Sequence, residues 1–251
     1  MRVSISVVKI VIFCWCSGTA IAQLPATEEI GILYRREFGG GGFLATNGLG
    51  LHGYYGIQKN YKHRWMFSGE FGNLKHEKET KSFNANYQDA RGYFFGKVNS
   101  LVYLNASVGG KHLWFESKRI QGVEISGVWS LGLTIGYLKP VYLKIREPYI
   151  GGEGYEKPVD KRYDPLVHYQ ENIYGRSSYF KGFGSGKLQP GLQAKAGIFF
   201  NLSKFDERII GVEVGVKADY FFQPVELMYD YPRKNILGAF YARFVLGAKR
   251  A

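Results

Sequence analysis

Beyond residue 23, apolar and polar residues alternate with a period of two, in one segment after another. The clearest is 209–220. There Ile210, Val212, Val214, Val216, Ala218 and Tyr220 share one face, and Gly211, Glu213, Gly215, Lys217 and Asp219 share the other. A helix would scatter those charges around its circumference, whereas an extended strand separates them. The same pattern sets Ile125, Trp129, Leu131, Leu133 and Ile135 against Glu124, Ser126, Ser130 and Thr134. Near the end of the chain it sets Phe240, Ala242, Phe244 and Leu246 against Tyr241 and Arg243.

Ten segments of this kind can be drawn, at 28–38, 43–57, 63–74, 91–98, 101–115, 123–138, 141–147, 188–202, 207–222 and 235–247. Short turns are expected at 59–62, 99–100, 139–140 and 203–206, and longer links at 75–90, 116–122, 148–187 and 223–234. Gly39 to Gly42 read as a short hairpin tip. Short turns on one side and long loops on the other are the layout of a transmembrane β-barrel. The expected fold is therefore all-β: an up-and-down antiparallel barrel of about ten strands, with eight or twelve as the neighbouring even solutions. A soluble sandwich or lipocalin-like barrel would also alternate. The membrane reading is favoured by strands longer than the roughly 9–11 residues needed to cross a bilayer. It is favoured also by aromatics placed to form girdles: Trp65, Phe67, Phe71, Tyr93, Phe94, Tyr137, Phe199, Phe200, Tyr220 and Phe221.

If the apolar faces meet lipid, the polar faces line the interior. The expected inward set is Arg35, Glu37, His52, Glu70, Lys97, Lys111, Glu124, Lys144, Lys195, Glu213, Lys217, Asp219 and Arg243. Both signs are present, and so narrow a barrel has its interior filled by side chains. Pairing of opposite charges is the expectation, with a narrow pore for small anions as the alternative.

Composition changes the picture in a few places. The chain of 251 residues has 33 Gly, 16% aromatics and 45% hydrophobic residues, which excludes disorder. Residues 1–22 read as a secretory signal peptide: Arg2 and Lys9, an apolar centre, then an A-x-A site with cleavage expected between Ala22 and Gln23. Residues 23–251 form a single barrel domain in this reading, after export through the inner membrane. Both cysteines, Cys14 and Cys16, precede that site, so the processed chain carries no thiol chemistry. The net charge of +12 points to anionic lipid or acidic sugar rather than nucleic acid, given the export signal.

No H-E-x-x-H occurs, and no His has a Ser and an acid at a recognisable spacing. No catalytic residue, metal ligand or cofactor is expected. A rim site combining His76, His112 and His168 with Asp89, Asp160 or Asp164 is the only enzymatic arrangement left open, and polar loop residues are the plainer reading. The long 148–187 link holds Tyr149, Tyr155, Tyr163, Tyr169, Tyr174 and Tyr179. So many aromatics predict a packed segment, serving either as an extracellular contact loop or as a cap over the barrel mouth.

The strings FGNLKHEKE (71–79), YFFGKVNSL (93–101) and GLTIGYLKPVYLKI (132–145) resemble a family of small outer-membrane β-barrel proteins widespread in Bacteroidota. The resemblance implies the location and the fold. It also implies that such a barrel can be an accessory subunit of a larger outer-membrane machine for protein assembly or secretion. No catalytic residue comes with it. The resulting expectation is a non-enzymatic barrel in contact with outer-membrane lipid and a protein partner, with a narrow pore as the alternative and a hydrolase as a distant third.

Overall fold

The structure is a computed structural model that describes residues 35–84, 91–116, 122–146, 157–203 and 207–250. In chain order its strands are β1 (Arg36–Ala45), β2 (Gly48–Asn60), β3 (His63–Leu74), β4 (Lys81–Ser82), β5 (Tyr93–Phe94), β6 (Asn99–Phe115), β7 (Glu124–Pro140), β8 (Tyr142–Ile145), β9 (Val159–Arg162), β10 (Ile173–Arg176), β11 (Lys187–Asn201), β12 (Arg208–Val225) and β13 (Lys234–Arg250). Eight of these close an antiparallel ring in the order β1-β13-β12-β11-β7-β6-β3-β2. Three others form a separate small sheet, ordered β10-β8-β9, and β4 pairs with β5.

The ring has eight strands where the alternation alone suggested ten, and the difference has identifiable causes. Segment 91–98 does not span: only Tyr93 and Phe94 pair, with Ser82 and Lys81. Segment 141–147 likewise leaves the wall, because β8 joins the small sheet. The expected turns at 99–100 and 139–140 are paired strand ends instead, with Asn99 opposite Pro140 and Ser100 opposite Lys139. A proline at the last position of a strand does not interrupt the ladder behind it. Loss of 91–98 from the wall reverses the direction of β6 and β7, and loss of 141–147 restores the expected direction from β11 onward. The 116–122 link therefore falls at the end of the ring with the turn at Tyr61–Lys62, opposite to where the sequence pattern put it.

Gly39 to Gly42 form no turn either. They lie inside β1, between Tyr54, Gly53, His52 and Leu51 of β2 on one side and β13 on the other. The hairpin bends at Thr46 and Asn47 instead. Glycine is needed here for close approach. A Cβ built on Gly41 would lie 2.0 Å from the Phe244 carbonyl oxygen, whereas one on Gly42 meets nothing nearer than 3.8 Å. The expected start of the first strand, before residue 35, lies outside the described residues, as does the signal segment.

The two faces of the wall have opposite polarity. Along β12, Ile209, Glu213, Lys217, Asp219 and Phe221 are buried, while Ile210, Val214, Val216 and Tyr220 are exposed. The outer surface continues around the ring with Leu44, Leu51, Phe67, Leu104, Leu131, Leu133, Ile135, Phe240 and Leu246, all exposed. Of the expected girdle aromatics, Phe199 and Phe221 point inward and are nearly fully buried, and Tyr93 packs away from the wall.

The glycine contacts give a paired test of closure. Gly41→Ala should sharply lower the fraction of chain that reaches the heat-resistant, fast-migrating barrel form on electrophoresis, because a backbone oxygen of β13 cannot retreat without breaking the ladder. Gly42→Ala should leave that fraction unchanged.

Candidate functional site

The interior of the ring is built from inward positions of every strand. Glu70 of β3 is the hub: it accepts hydrogen bonds from the Lys195 ammonium and from Arg243 Nη2, the latter at 2.5 Å. Glu213 accepts the Tyr241 hydroxyl at 2.7 Å and lies 3.7 Å from Arg243 Nε. Lys217 donates to the Tyr103 hydroxyl at 2.9 Å and sits 3.7 Å from Asp219, which also accepts Gln193 Nε2 at 2.7 Å. Nearer the end that carries the termini, Glu37 accepts Arg64 and Lys111, the latter at 3.4 Å. Glu124 faces Asn201 and Lys249 there.

Apolar layers separate and cover these charges. Phe43, Leu74, Leu101, Tyr103, Leu138, Phe221, Val225 and Leu227 pack together beyond the Glu70 hub. Phe199, Ile209 and Val245 form a second layer, with the Lys111 ammonium 4.0 Å from the centre of the Phe199 ring. Between the layers remains a cavity of about 30 Å3, lined by Glu37, Ser68, Lys195, Glu213, Tyr241 and Arg243 among others. That is room for one or two water molecules. Both nitrogens of His52 and one oxygen of Glu70 are buried beside the network without a side-chain hydrogen bond among the described residues.

The inward set read from the sequence divides accordingly. Glu37, His52, Glu70, Lys111, Glu124, Lys195, Glu213, Lys217, Asp219 and Arg243 all lie within the ring. Arg35 is exposed before β1 begins. Lys97 belongs to the 75–98 link, where it donates to Glu79 at 2.6 Å, and Lys144 belongs to β8. These three therefore lie outside the network: Arg35 stands just before the spanning strand begins, and the segments that carry Lys97 and Lys144 do not span. Arg64 was missed in the sequence pattern, although its parity between His63 and Trp65 marks it as inward.

At the end of the ring opposite the termini, the links form a cap with its own core of Tyr93, Leu143, Ile145, Tyr163 and Ile173. Gly96 N–H donates to the Tyr163 hydroxyl at 3.2 Å, and Asn84 Nδ2 donates to the Ile173 carbonyl at 2.7 Å. Val98 N–H reaches the Leu227 carbonyl at 3.0 Å, tying the cap to the apolar layer that closes the barrel. Of the expected contact tyrosines, Tyr163 is a core residue, Tyr174 is half-buried in β10, and Tyr169 and Tyr179 are exposed. Tyr149 and Tyr155 lie outside the described residues. Tyr179 joins Phe180 and Phe183 in an exposed aromatic cluster, with ring centroids 5.9 to 6.2 Å apart. Leu166 and Val167 add exposed apolar surface.

The histidines do not converge. His112 stacks on His63 at 4.2 Å, at the opposite end of the ring from the cap. His76 lies tilted against Tyr231 with ring centroids 4.8 Å apart, and His168 Nδ1 accepts the Asp164 N–H at 3.0 Å. Asp89 lies outside the described residues. Among the described residues, no three His, Cys, Asp or Glu side chains gather as a metal site.

No family model matches the chain, and no curated protein matches it. Among solved structures, the crystal structure of Neisserial surface protein A (NspA) is similar, with 8% sequence identity and a TM-score of 0.37 over 86% of this chain and 94% of that one. The barrel assignment rests on this chain's own strand ladder.

Two outcomes follow from the interior and the cap. Glu70→Ala leaves Lys195 and Arg243 buried without their shared acid, which should cost about 3–5 kcal/mol. Urea unfolding in detergent micelles would measure it, and Lys62→Ala, on an exposed turn, serves as the neutral reference. In the cap, the Lys181 ammonium hydrogen-bonded to Asp160 holds that carboxyl below its ordinary value. A lowered carboxylate adds stability that is present above its unfolded value of about 3.9 and is lost as pH falls through the folded value. Hydrogen exchange in β8 and β9 should thus be unaffected by this pair from pH 7 to pH 5 and should quicken below about pH 4. Asp160→Asn should remove that acid-dependent step.

Proposed function

We infer that the chain is a β-barrel of the bacterial outer membrane that forms no open channel and presents its cap to another protein of that membrane. The observation that carries this reading is the inverted polarity of the ring. A soluble barrel of this size buries its apolar face and exposes its charges. Here Glu70, Lys195, Lys217, Asp219 and Arg243 are buried, while Leu51, Leu104, Leu131, Leu133 and Phe240 are exposed around the wall. An apolar surface of that extent has no water-soluble counterpart outside interaction sites. The strands of 12 to 18 residues outside β1 exceed the span a bilayer requires.

A conducting role has little to support it. The charges inside pair with each other, the two apolar layers interrupt the axis, and the remaining cavity holds only a water or two. The alternative of an anion path would need the Glu70 hub to part. The cap supplies the contact surface instead: a preformed core carrying exposed Tyr169, Tyr179, Phe180, Leu166 and Val167. Exposed aromatics on a rigid base are typical anchors of protein interfaces. No catalytic residue, metal or cofactor enters this reading, and nucleic acid is not among the partners. Membership of a Bacteroidota family of accessory barrels, suggested by the strings at 71–79, 93–101 and 132–145, is consistent with it.

Val214 and Glu213 test the membrane part. Val214→Arg puts a cation mid-strand on the outer face and should cost about 2–4 kcal/mol at the bilayer midplane, seen as failed insertion into liposomes. Glu213→Gln, one residue away and inward, should insert normally. Planar-bilayer recordings of the intact protein should show no stable conductance. Steady ohmic channels would replace this reading with the anion path. Tyr169→Ser with Phe180→Ser should leave the heat-resistant barrel intact and abolish co-purification of an outer-membrane partner from detergent-solubilised membranes.

A further inference from the structure

At the end of the ring where β1 begins and β13 ends, the outer wall is hollowed. A groove of about 240 Å3 is lined by Lys59 of β2, His63 and Trp65 of β3, Gly110 and His112 of β6, and Trp129 of β7, with Asn60 and the inward-turned Arg64 and Lys111 at its margin. The ladder brings them together, with His63 directly opposite His112, and Trp65, Gly110 and Trp129 in one row across three strands. The histidine rings stack at 4.2 Å, and the two indoles meet edge-on at 6.4 Å across the glycine. A Cβ on Gly110 would come within 2.9 Å of Trp129 Nε1. The missing side chain is what leaves a floor on which the indole can lie.

The groove has a polar end and an apolar wall. No carboxylate lines it. Lys59 has no acid partner among the described residues, and His112 Nδ1 is buried there without a hydrogen-bond partner. Nearby charges are committed elsewhere. Arg64 turns inward to Glu37, and Glu116, the acid near the adjoining turn, accepts the Tyr61 hydroxyl, which pushes that hydroxyl's ionisation up to about 12. Paired Trp side chains at the edge of an apolar belt mark the membrane–water boundary, where an indole offers an apolar body and an N–H. Lys59 and the two imidazoles thus stand at headgroup depth, beside a wall shaped for glycerol and acyl chain.

We propose that this groove binds the phosphodiester headgroup of an anionic phospholipid in the leaflet nearest the start of β1 and the end of β13. Lys59 and the N–H groups of His63 and His112 take the phosphate oxygens, and Trp65 and Trp129 flank the glycerol backbone. The proposal rests on the membrane reading above, and a basic side chain at a membrane surface strengthens binding to anionic lipid by about fivefold.

The test uses the intact protein in nanodiscs of phosphatidylcholine doped with phosphatidylglycerol, released into native mass spectrometry so that retained lipids are counted. Wild type should retain phosphatidylglycerol over phosphatidylcholine. Lys59→Gln, at an exposed strand end, should reduce that preference about fivefold, and adding His63→Gln and His112→Gln should abolish it. Gly110→Val, which displaces Trp129, should lower retention of both lipids. Lys62→Gln, next to the groove but outside it, should change nothing. Failure of the wild type to insert into nanodiscs, read from the heat-resistant band, overturns the membrane reading itself. Insertion with equal retention of both lipids, or with a preference untouched by Lys59→Gln, overturns the groove proposal alone. Displacement of the lipid by millimolar inorganic phosphate would show an adventitious anion site and would also overturn it.

Discussion

The whole structure depends on one constraint: the first and last strands of the wall must find each other. In a ring, every backbone N–H and C=O of the wall has a partner, so no edge remains to be satisfied by water or by another chain. Here the closing seam is β1 against β13, from Arg36 opposite Arg250 to Ala45 opposite Tyr241. Gly39 to Gly42 run along it, so the two backbones approach closely there. Tight backbone approach closes this seam at the glycines, while Glu37 and Phe43 of β1 and Tyr241, Arg243 and Val245 of β13 reach into the interior to meet side chains of the other strands. Eight strands then enclose a lumen only wide enough for side chains. Closure of this ring thus both completes the wall and seals the interior.

A sealed interior explains why charges are placed there in matched pairs. A buried ion pair is weak evidence for stability, since apolar residues of the same volume would serve as well or better. Its effect on register is stronger. A slip of one residue along any ladder would turn every inward side chain outward. For β12 that slip would carry Glu213, Lys217 and Asp219 onto the apolar outer face of the wall. The Glu70 hub, fed by Lys195 from β11 and Arg243 from β13, joins strands that are not neighbours around the ring. It therefore favours one closed arrangement over several that would satisfy the backbone equally well.

Parity was readable in the sequence, and direction was not. Alternation assigns a residue to a face without reference to which way its strand runs, so Val214, Glu213, Leu131 and Arg243 could be placed from the pattern alone. Strand count and direction depend on where turns fall, and turn residues proved ambiguous. Asn99, Ser100, Lys139 and Pro140 have turn chemistry, yet they pair as the ends of long strands. The glycine run reads as a flexible tip until the oxygen of Phe244 is seen 2.0 Å from where a Cβ on Gly41 would be. The interior network was partly legible for the same reasons. Glu70, Lys195 and Asp219 lie on strands whose parity is unmistakable, whereas Lys97 and Lys144 sit on short alternating stretches that fold into the cap.

The cap shows why those short stretches imitate the wall. Tyr93, Leu143, Ile145, Tyr163 and Ile173 alternate because they line a core of their own, and a small sheet buries one face by the same period-two rule as a barrel strand. That core shares no residue with the layer of Phe43, Leu101 and Phe221 that plugs the ring beneath it. The two are coupled through a few backbone contacts near Val98 and Leu227. A division of this kind leaves the cap surface free to change in sequence with little cost to the wall. Because the lumen is committed to holding the ring in one register, any recognition of another molecule would fall to surfaces outside it. On the reading proposed above, the cap is one such surface, and the Trp-flanked groove at the other end of the wall is another.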